Sequence, residues 1–309
     1  RHIHQHAETG LDLPETVAFV KDKLTEYGLA PTDCGHGVTA TLGKGSPVLL
    51  LRADMDGLPI REDSGESFSC TTGTMHACGH DAHMSMGLAV CHWLMDNKDK
   101  LSGKVKILFQ PAEEGVRGAA GMAASGILDD CDYFLSSHVA MLAKSGELAT
   151  NLYGFLCTTK YDVTFNGRAS HAGVSPQEGR NALAAAANAT VQMLGISRHG
   201  GGMTRINIGQ LVAGEGRNVI PSKAVMKLEV RGETMEINNY MSEQVTNIVE
   251  GIAKGFSVTY DMRKMGEAVD LTADQELIDI LNESGREVGL KVLDKPLNFG
   301  GSEDATILA

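Results

Sequence analysis

Acidic residues and a histidine follow three short apolar segments in the first half of the chain. The segments are PVLLLR (47–52), KVKILF (104–109) and DYFLSS (132–137). The polar residues that follow them are Asp54 and Asp56, then Glu113 and Glu114, then His138. Short continuous apolar runs are typical of strands buried in a sheet, and open α/β sheets bind ligands at the carboxyl ends of their strands. These side chains are therefore expected to share one edge of a sheet.

A fourth cluster of reactive side chains, residues 75–83 (MHACGHDAH), opens a predicted helix. A cysteine and a histidine separated by one glycine, as in Cys78-Gly79-His80, can direct both side chains toward one ion. Thiolate, imidazole and carboxylate ligands together suit Zn²⁺, or Mn²⁺ and Co²⁺ when more oxygen ligands take part. The four clusters together predict a metal site. Each alone has an ordinary alternative: His138 as a satisfied polar residue, and Glu113-Glu114 as a solvated helix start.

Composition excludes several classes of function. The chain has 27 Lys and Arg against 39 Asp and Glu, a net charge of −12, which argues against nucleic acid or an anionic membrane surface as a partner. Six cysteines in 309 residues are too few for a disulfide scaffold. Cys34, Cys91, Cys131 and Cys157 are expected to be buried free thiols. No apolar run approaches the ~20 residues that span a bilayer, and no signal peptide is evident, so a cytoplasmic location is predicted.

Strand and helix signals alternate over the first 150 residues, which is typical of an α/β sheet with a parallel core. The helices predicted there cover 14–28, 81–97 and 119–128. After residue 155 the order changes to β-α-β-β-α-β, with strands at 159–166, 204–212, 224–231 and 256–261 and helices at 181–196 and 236–254. That order is the split βαβ, or ferredoxin-like, pattern. A helix returns at 274–288.

The predicted architecture is a catalytic α/β domain, a mixed sheet sandwiched by helices, formed by residues 1–156 and 268–309. A ferredoxin-like domain of residues 157–267 is inserted into it.

Six motifs in order resemble those of the M20 family of metallo-amidohydrolases and peptidases. They are RADMDGLPI (52–60), MHACGHD (75–81), FQPAEE (109–114), SHAG (170–173), GRNVIP (216–221) and GSED (301–304). The resemblance covers essentially the whole chain and is greatest to the branch that hydrolyses N-acyl amino acids. Within that branch, residues 158–160, 117–119 and 301–306 resemble those of the aminobenzoyl-glutamate utilisation hydrolases.

The resemblance implies a site for two divalent ions, Zn²⁺ or Mn²⁺, with Cys78, His80, Glu114 and His138 as ligands. It also implies that Glu113 is the general acid/base and that Asp56 orients a ligand from below the strand end. Much of the family has a histidine where Asp54 stands, so Asp54 is not among the expected ligands. His76 and His83 are expected on the helix surface or behind the ligands.

The implied reaction is hydrolysis of the amide bond of an N-acyl amino acid, with p-aminobenzoyl-glutamate as the specific substrate. A general, hippurate-like N-acyl-amino-acid amidohydrolase or a dipeptidase is the nearer alternative. A non-catalytic binding or assembly protein that keeps the fold is the alternative from another class. Retention of Glu113 argues against that last alternative, because a binding protein does not need a free base beside the metal.

Three residues of the insert resemble the family's substrate-holding groups: His171, Asn218 and Arg231. Arginine binds a carboxylate through two hydrogen bonds, which suits the free carboxylate of an acyl-amino acid. His171 resembles the family histidine that acts in a neighbouring subunit's site, so a homodimer through the insert is expected. The alternatives are that His171 caps a turn and that Arg231 pairs with a local acid.

The family's last metal ligand is a histidine downstream of the GSED motif, and the chain reaches Ala309 without one. The family's closing strand and helix would also follow that point. The expectation is therefore that the chain is a fragment of a longer protein, because a sheet without its closing elements would expose an unpaired edge.

Overall fold

The computed structural model describes residues 1–115, 117–139 and 142–309. The chain divides into two units. Unit 1 consists of Arg1–Tyr153, Leu271–Phe299 and Glu303–Ala309, and unit 2 of Gly154–Asp270 and Gly300–Ser302. Both units combine helices with β-sheet, so the predicted α/β class is confirmed. None of the helices in the described part of the chain has the length and apolarity to cross a membrane.

Unit 1 is built on a mixed five-stranded sheet. Its strands are β1 (Thr32–Cys34), β2 (Gly37–Lys44), β3 (Val48–Asp54), β4 (Gly103–Gln110) and β5 (Tyr133–Ser136). The order across the sheet is β1-β2-β4-β3-β5. β3 runs parallel to β4 and β5, whereas β2 runs antiparallel to β1 and β4. The carboxyl ends of β3, β4 and β5 therefore meet at one edge, where Asp54 lies opposite Gln110.

Four helices belong to the first part of unit 1. They are α1 (His2–Gln5), α2 (Pro14–Glu26), α3 (His80–Asp96) and α4 (Gly118–Ala124). The buried face of α3 carries Met84, Leu88 and Cys91, which pack with Phe109 of β4. Burying an apolar side chain of this size stabilises the fold by roughly 1.5–3 kcal/mol. This packing fixes the first residue of α3, His80, at the edge where the strands end.

Unit 2 contains a four-stranded sheet and two long helices. Its elements are β8 (Cys157–Asn166), β9 (Ser170–His171), α5 (Ala182–Leu194), β10 (Thr204–Ala213), β11 (Val219–Ile220), β12 (Lys223–Gly232), α6 (Met235–Phe256) and β13 (Thr259–Ala268). The sheet order is β10-β12-β8-β13, and all neighbours are antiparallel. This is the strand order of the split βαβ motif. Alanines of α5 and apolar residues of α6 cover one face of the sheet.

The strand predicted at 256–261 is displaced in the structure. Phe256 is the last residue of α6, and Ser257 caps the helix in the left-handed region with φ 54°. The Ser257 N–H donates to the carbonyls of the preceding turn, at Ala253 and Lys254. β13 begins only at Thr259 and continues to Ala268. Phe256 packs against the core from the helix, so its apolarity indicated burial and not a strand.

The last part of unit 1 returns beside its first part. α7 (Gln275–Glu287) is followed by β14 (Lys291–Val292) and β15 (Leu297–Asn298). β14 pairs in parallel with β6 (Glu147–Leu148), and β15 with β7 (Leu152–Tyr153). These two-residue pairings join segments about 144 residues apart in sequence.

His4 of α1 connects two acidic side chains of unit 1. Its Nδ1 lies 2.9 Å from Asp81 Oδ2, and its Nε2 lies 3.0 Å from Glu62 Oε1. A ring that donates to two carboxylates is protonated on both nitrogens. Burial opposes that charge, but the hydrogen bonds to Glu62 and Asp81 outweigh it and raise the pKa of His4 above 6.5. Since Asp81 lies in the first turn of α3, His4 ties α1 to the start of that helix.

We expect His4→Gln to lower the thermal stability of the protein in a pH-dependent way. Because folding raises the pKa of His4, its stabilisation is fully present below about 6.5 and is lost as the pH rises through the folded value. Partly exposed ion pairs contribute about 0.2–1 kcal/mol, so the melting temperature should fall by about 1–3 °C at pH 5.5. Melting of both proteins at pH 5.5 and pH 9 measures the difference.

His36→Gln is the matched control, since His36 lies 3.2 Å from Asp12 Oδ1 but both side chains are largely exposed. The melting temperature of His36→Gln should differ little from that of the wild type at either pH. A melting difference for His4→Gln that stays constant from pH 5.5 to pH 9 would show that the charge on His4 is not what stabilises α1.

Candidate metal centre

His80 presents one ring nitrogen to the edge of the sheet. Its Nδ1 lies 2.7 Å from the main-chain oxygen of Asp56 and donates there, so loss of one proton from the ring leaves the lone pair on Nε2. The carboxylates of Asp56 and Asp54 outweigh burial and raise the pKa of His80 to about 9, so a bound cation would take the place of that proton. Nε2 is buried and has no hydrogen-bond partner within the described ranges. It lies 3.5 Å from Asp54 Oδ2 and 3.9 Å from Glu113 Oε2. A buried ring nitrogen that faces carboxylates and no hydrogen-bond donor fits a cation, either a proton or a metal ion.

Three groups of side chains that share His80 have ligand atoms within 4.8 Å of one another. The groups are Cys78, His80 and Glu114; Asp54, His80 and Glu113; and His80, His83 and His138. The first has the thiolate, imidazole and carboxylate donors of a zinc or manganese site. All four ligands predicted from the sequence occur in these groups, and their binding to metal stays a prediction.

Gly79 makes the close approach of these groups possible. It precedes α3 with φ 83°, in the left-handed region that favours glycine. A Cβ placed on it would lie 2.4 Å from Cγ2 of Val139. Glycine therefore lets the chain turn between Cys78 and His80 and lets residue 139 pack against that turn.

Asp56 holds the turn that carries both glutamates. Its Oδ1 accepts the Glu113 N–H at 2.9 Å, and its Oδ2 accepts the Glu114 N–H at 3.2 Å. The preceding Ala112 has φ 58°, a conformation that costs a non-glycine residue energy. The Asp56 carboxylate thus connects the end of β3 to the residues after β4. This contact and the bond from His80 to its main chain put Asp56 behind the candidate ligands.

Arg52 lies at the centre of a buried ionic network behind the site. Its side chain is 1% exposed, and its Nη1 donates to Asp54 Oδ2 at 2.7 Å. Its Nη2 donates to Glu303 Oε1 at 2.9 Å and to Asp304 Oδ1 at 3.0 Å. Gln110 bridges the network, since it accepts from Arg52 Nε at 3.0 Å and donates to Asp304 at 2.7 Å. Sequence reasoning assigned no role to Arg52, although a charged residue inside an apolar strand was a signal for one.

The pKa values show that the pocket disfavours further negative charge. Burial, together with Glu303 and Asp304, raises the pKa of Glu113 to about 10. Burial also raises the pKa of Asp304 to about 7, and burial with Glu114 raises that of the Cys78 thiol to about 12. For Asp54, by contrast, Arg52 and His83 outweigh burial and hold the pKa well below its usual range. A divalent cation would offset the repulsion among these acids and favour the thiolate that binds metal.

His138 follows β5, as predicted, and is exposed. Its ring centroid lies 5.8 Å from that of His80 and 4.6 Å from that of His83. Its Nδ1 lies 2.5 Å from the carbonyl oxygen of Val139, which leaves Nε2 as the atom that can bind an ion. His76, by contrast, is buried and belongs to none of the candidate metal groups found among the described residues.

In unit 2, His171 and Asn218 lie on neighbouring segments. His171 of β9 pairs with Val219 of β11, and the Ala172 N–H donates to the Asn218 carbonyl at 3.0 Å. His171 Nδ1 accepts the N–H groups of residues 173 and 174 at 3.2 and 3.1 Å, so it caps its turn. The cap leaves Nε2 of the neutral ring as a donor.

Arg231 pairs with an acid on its own strand. Its Nη2 and Nε lie 2.9 and 3.0 Å from Glu229 Oε1. The local contacts considered as alternatives for His171 and Arg231 are thus present, and the substrate roles of both residues stay predictions.

The sequence and the fold have counterparts among known proteins. Residues 50–309 match the model of peptidase family M20/M25/M40. The chain belongs to this family, which confirms the resemblance seen in its motifs.

Similar relatives carry hydrolase names. Over 275 residues the chain is 52% identical to a Haemophilus influenzae protein named as the homolog of one subunit of p-aminobenzoyl-glutamate hydrolase, an alignment that covers 86% of this chain and 65% of the relative. The chain thus spans a little less than two thirds of that relative's length. It is 42% identical to the indole-3-acetyl-aspartic acid hydrolase of Enterobacter agglomerans, over 98% of this chain and 74% of the relative.

A solved structure shows the same fold. The crystal structure of an aminobenzoyl-glutamate utilization protein from Klebsiella pneumoniae has a TM-score of 0.83 at 33% identity, covering 98% of this chain and 84% of that one.

Arg52→Met is expected to lower the free energy of unfolding of unit 1 by about 3–5 kcal/mol, because it leaves buried acids without their cation. Urea unfolding followed by circular dichroism and by Trp93, the single tryptophan and a residue of α3 in unit 1, measures the change.

The double variant Arg52→Met with Asp304→Asn provides the control. Removing one of the acids that Arg52 pairs with should make the double variant more stable than the sum of the single effects predicts. Strictly additive effects would mean that the two groups do not depend on each other.

Proposed function

We propose that this chain carries the catalytic site of a metal-dependent amidohydrolase that cleaves N-acyl amino acids, with p-aminobenzoyl-glutamate as its substrate. The observation that carries the proposal is the buried Nε2 of His80, which lies beside a thiol and carboxylates and has no hydrogen-bond partner among the residues that the structure describes. Next to it is Glu113, whose carboxyl lies 3.9 Å from His80 Nε2. Its raised pKa comes from burial and neighbouring acids, and bound cations would lower that pKa so that the carboxylate can act as a base. The names of the two aminobenzoyl-glutamate relatives support the choice of substrate.

Cys78, His80, Glu114 and His138 are the residues we propose as ligands of two divalent ions, Zn²⁺ or Mn²⁺. Their donor atoms fit these ions, and the first three lie within 4.8 Å of one another. When bound, such ions supply Lewis acidity that polarises the scissile carbonyl and makes water more acidic. The remaining chemistry belongs to residues of the chain.

Glu113 is proposed as the general acid/base. Its main-chain N–H is held by Asp56 at 2.9 Å, which fixes the backbone at this position, and its carboxyl is 11% exposed and lies 3.9 Å from His80 Nε2. A base in this position takes a proton from the attacking water and returns it to the leaving nitrogen. Asp56 positions Glu113 and Glu114 through their main-chain N–H groups and does not itself exchange protons with substrate.

Three residues of unit 2 are proposed to contact the substrate, with His171 acting in the site of a neighbouring subunit. His171 Nε2 can donate to the oxyanion that develops on the carbonyl oxygen, because Nδ1 is engaged as an acceptor. Arg231 and Asn218 are proposed to bind the free carboxylate of the acyl-amino acid. The pairing of Arg231 with Glu229 lowers its net charge, so carboxylate binding would require Arg231 to exchange one partner for another.

A broader acyl-amino-acid specificity is the second candidate. The Enterobacter relative is named for an indole-3-acetyl conjugate of aspartate, which differs in both the acyl and the amino-acid part. Release of glutamate from p-aminobenzoyl-glutamate, compared with release of glycine from hippurate, distinguishes the two. Turnover of hippurate alone would retain the class of reaction and reject the specific substrate.

Glu113→Gln and Cys78→Ser form a pair that separates catalysis from metal binding. Glu113→Gln should reduce turnover of p-aminobenzoyl-glutamate by about 10²–10⁴-fold, since a general base contributes that much, while the bound metal stays unchanged. Cys78→Ser should lower both, because it removes a proposed ligand. Turnover and metal content after dialysis, measured by mass spectrometry, give the two readouts.

Cys131→Ser is the control for the loss of a thiol, since Cys131 is partly exposed and lies outside the candidate metal groups found in the described residues. Unchanged turnover in Glu113→Gln would reject the acid/base role and favour a non-catalytic member of the fold.

We also propose a homodimer through unit 2 and a cytoplasmic location. The edge strand β10 supports the dimer, since Leu211 and Val212 are 40% and 60% exposed there. The Haemophilus relative is named as the homolog of one subunit of p-aminobenzoyl-glutamate hydrolase. The alternative is therefore a complex of this chain with a different chain. Light scattering should give twice the mass of the chain, and a stable, active monomer would contradict the dimer.

A further inference from the structure

His83 lies one turn after His80 on α3 and engages both of its ring nitrogens. Its Nδ1 lies 2.5 Å from Asp54 Oδ1, and its Nε2 accepts the main-chain N–H of Val139 at 2.8 Å. The side chain is 2% exposed. An Nε2 that accepts a main-chain N–H has its lone pair occupied, so His83 is not available as a ligand in this arrangement.

Val139 is held by a second, independent contact. A Cβ built on Gly79 would lie only 2.4 Å from the Cγ2 of Val139. The Val139 side chain therefore packs directly on Gly79, between Cys78 and His80. The residue before it is His138, whose Nδ1 contacts the Val139 carbonyl at 2.5 Å. Both polar main-chain groups of Val139 are therefore used: the N–H by His83 and the carbonyl by His138.

We propose that His83 is a positioning residue that fixes His138 through the backbone of Val139. The proposal rests on the proposed metal site, and it assigns to His83 a role different from that of a ligand. Arg52 holds Asp54 at 2.7 Å, Asp54 holds His83, and His83 holds the main chain beside His138. The ring of His138 also packs edge-on against that of His83, at 4.6 Å between centroids and 73° between planes.

Glutamine and leucine at position 83 distinguish a positioning residue from a ligand. A glutamine amide offers one donor and one acceptor on neighbouring atoms, as the neutral imidazole does, but it is a poor ligand for Zn²⁺. Leucine fills similar space and offers neither group. His83→Leu should therefore weaken Zn²⁺ binding by about 10–100-fold, the usual loss when a residue behind a ligand is removed, and His83→Gln should bind nearly as the wild type does.

Competition of the full chain with a chromophoric chelator for Zn²⁺ alone measures these affinities. Adding His138→Ala to His83→Leu should cause no loss beyond that of His138→Ala, because both changes remove the same interaction. Wild-type affinity in His83→Leu would overturn the proposal. Equal losses in the leucine and glutamine variants would overturn it as well, since they would make His83 a ligand, and so would additive losses in the double variant.

Hydrogen exchange at the Val139 amide provides a readout that needs no metal. The amide should be protected in the wild type and in His83→Gln and should exchange faster in His83→Leu. Fast exchange in the wild type would overturn the proposal.

If His83→Leu does not fold, the wild type and His83→Gln still decide: protection and retained affinity support the role, and a loss of either in His83→Gln rejects it. Failure of the wild type to bind Zn²⁺ would reject the proposed function, and the exchange data would still decide whether His83 holds Val139.

Discussion

The guanidinium of Arg52 is buried among three carboxylates, and the geometry of the site in unit 1 depends on that single charge. Desolvating an arginine costs several kcal/mol, which only close, well-oriented acceptors offset. Asp54, Glu303 and Asp304 supply them at 2.7 to 3.0 Å. In return, Arg52 fixes Asp54, and Asp54 fixes the ring of His83. The same charge holds Asp304, whose Oδ2 accepts the N–H of Ala119 in the first turn of α4.

The edge of the sheet could be predicted because two independent signals coincide there. Apolar runs indicate where strands are buried, and polar residues directly after them indicate where the strands end. Asp56 and Glu114 were found in this way, and the structure brings them together. His80 was found from the separate cluster that opens α3, and it contacts the main chain of Asp56. The spacing in Cys78-Gly79-His80 also carried information, since the left-handed Gly79 is what allows both side chains to face one point.

The supporting contacts could not be predicted, for physical reasons that differ from one residue to another. The partners of Arg52 are separated from it by 251 and 252 residues, and no local pattern encodes a pairing over that distance. The role of His83 depends on which main-chain N–H faces it, and a sequence does not specify that. The end of α6 was misplaced because Phe256 has the same apolarity on a buried helix face as on a strand. Strands β1 and β2, on the side of the sheet away from β5, were not predicted. Their glycine-flanked segments contain no continuous apolar run.

The distance between Arg52 and its last partners has a consequence for synthesis of the chain on the ribosome. At about 5–20 residues per second, Glu303 and Asp304 emerge roughly 10–50 s after Arg52. During that interval Arg52 has Asp54 and Gln110 as partners, and the part of unit 1 made first stands without two of its acids. All of unit 2 up to Asp270 is translated in the meantime. The ionic network around Arg52 can therefore be completed only after Glu303 and Asp304 have been made.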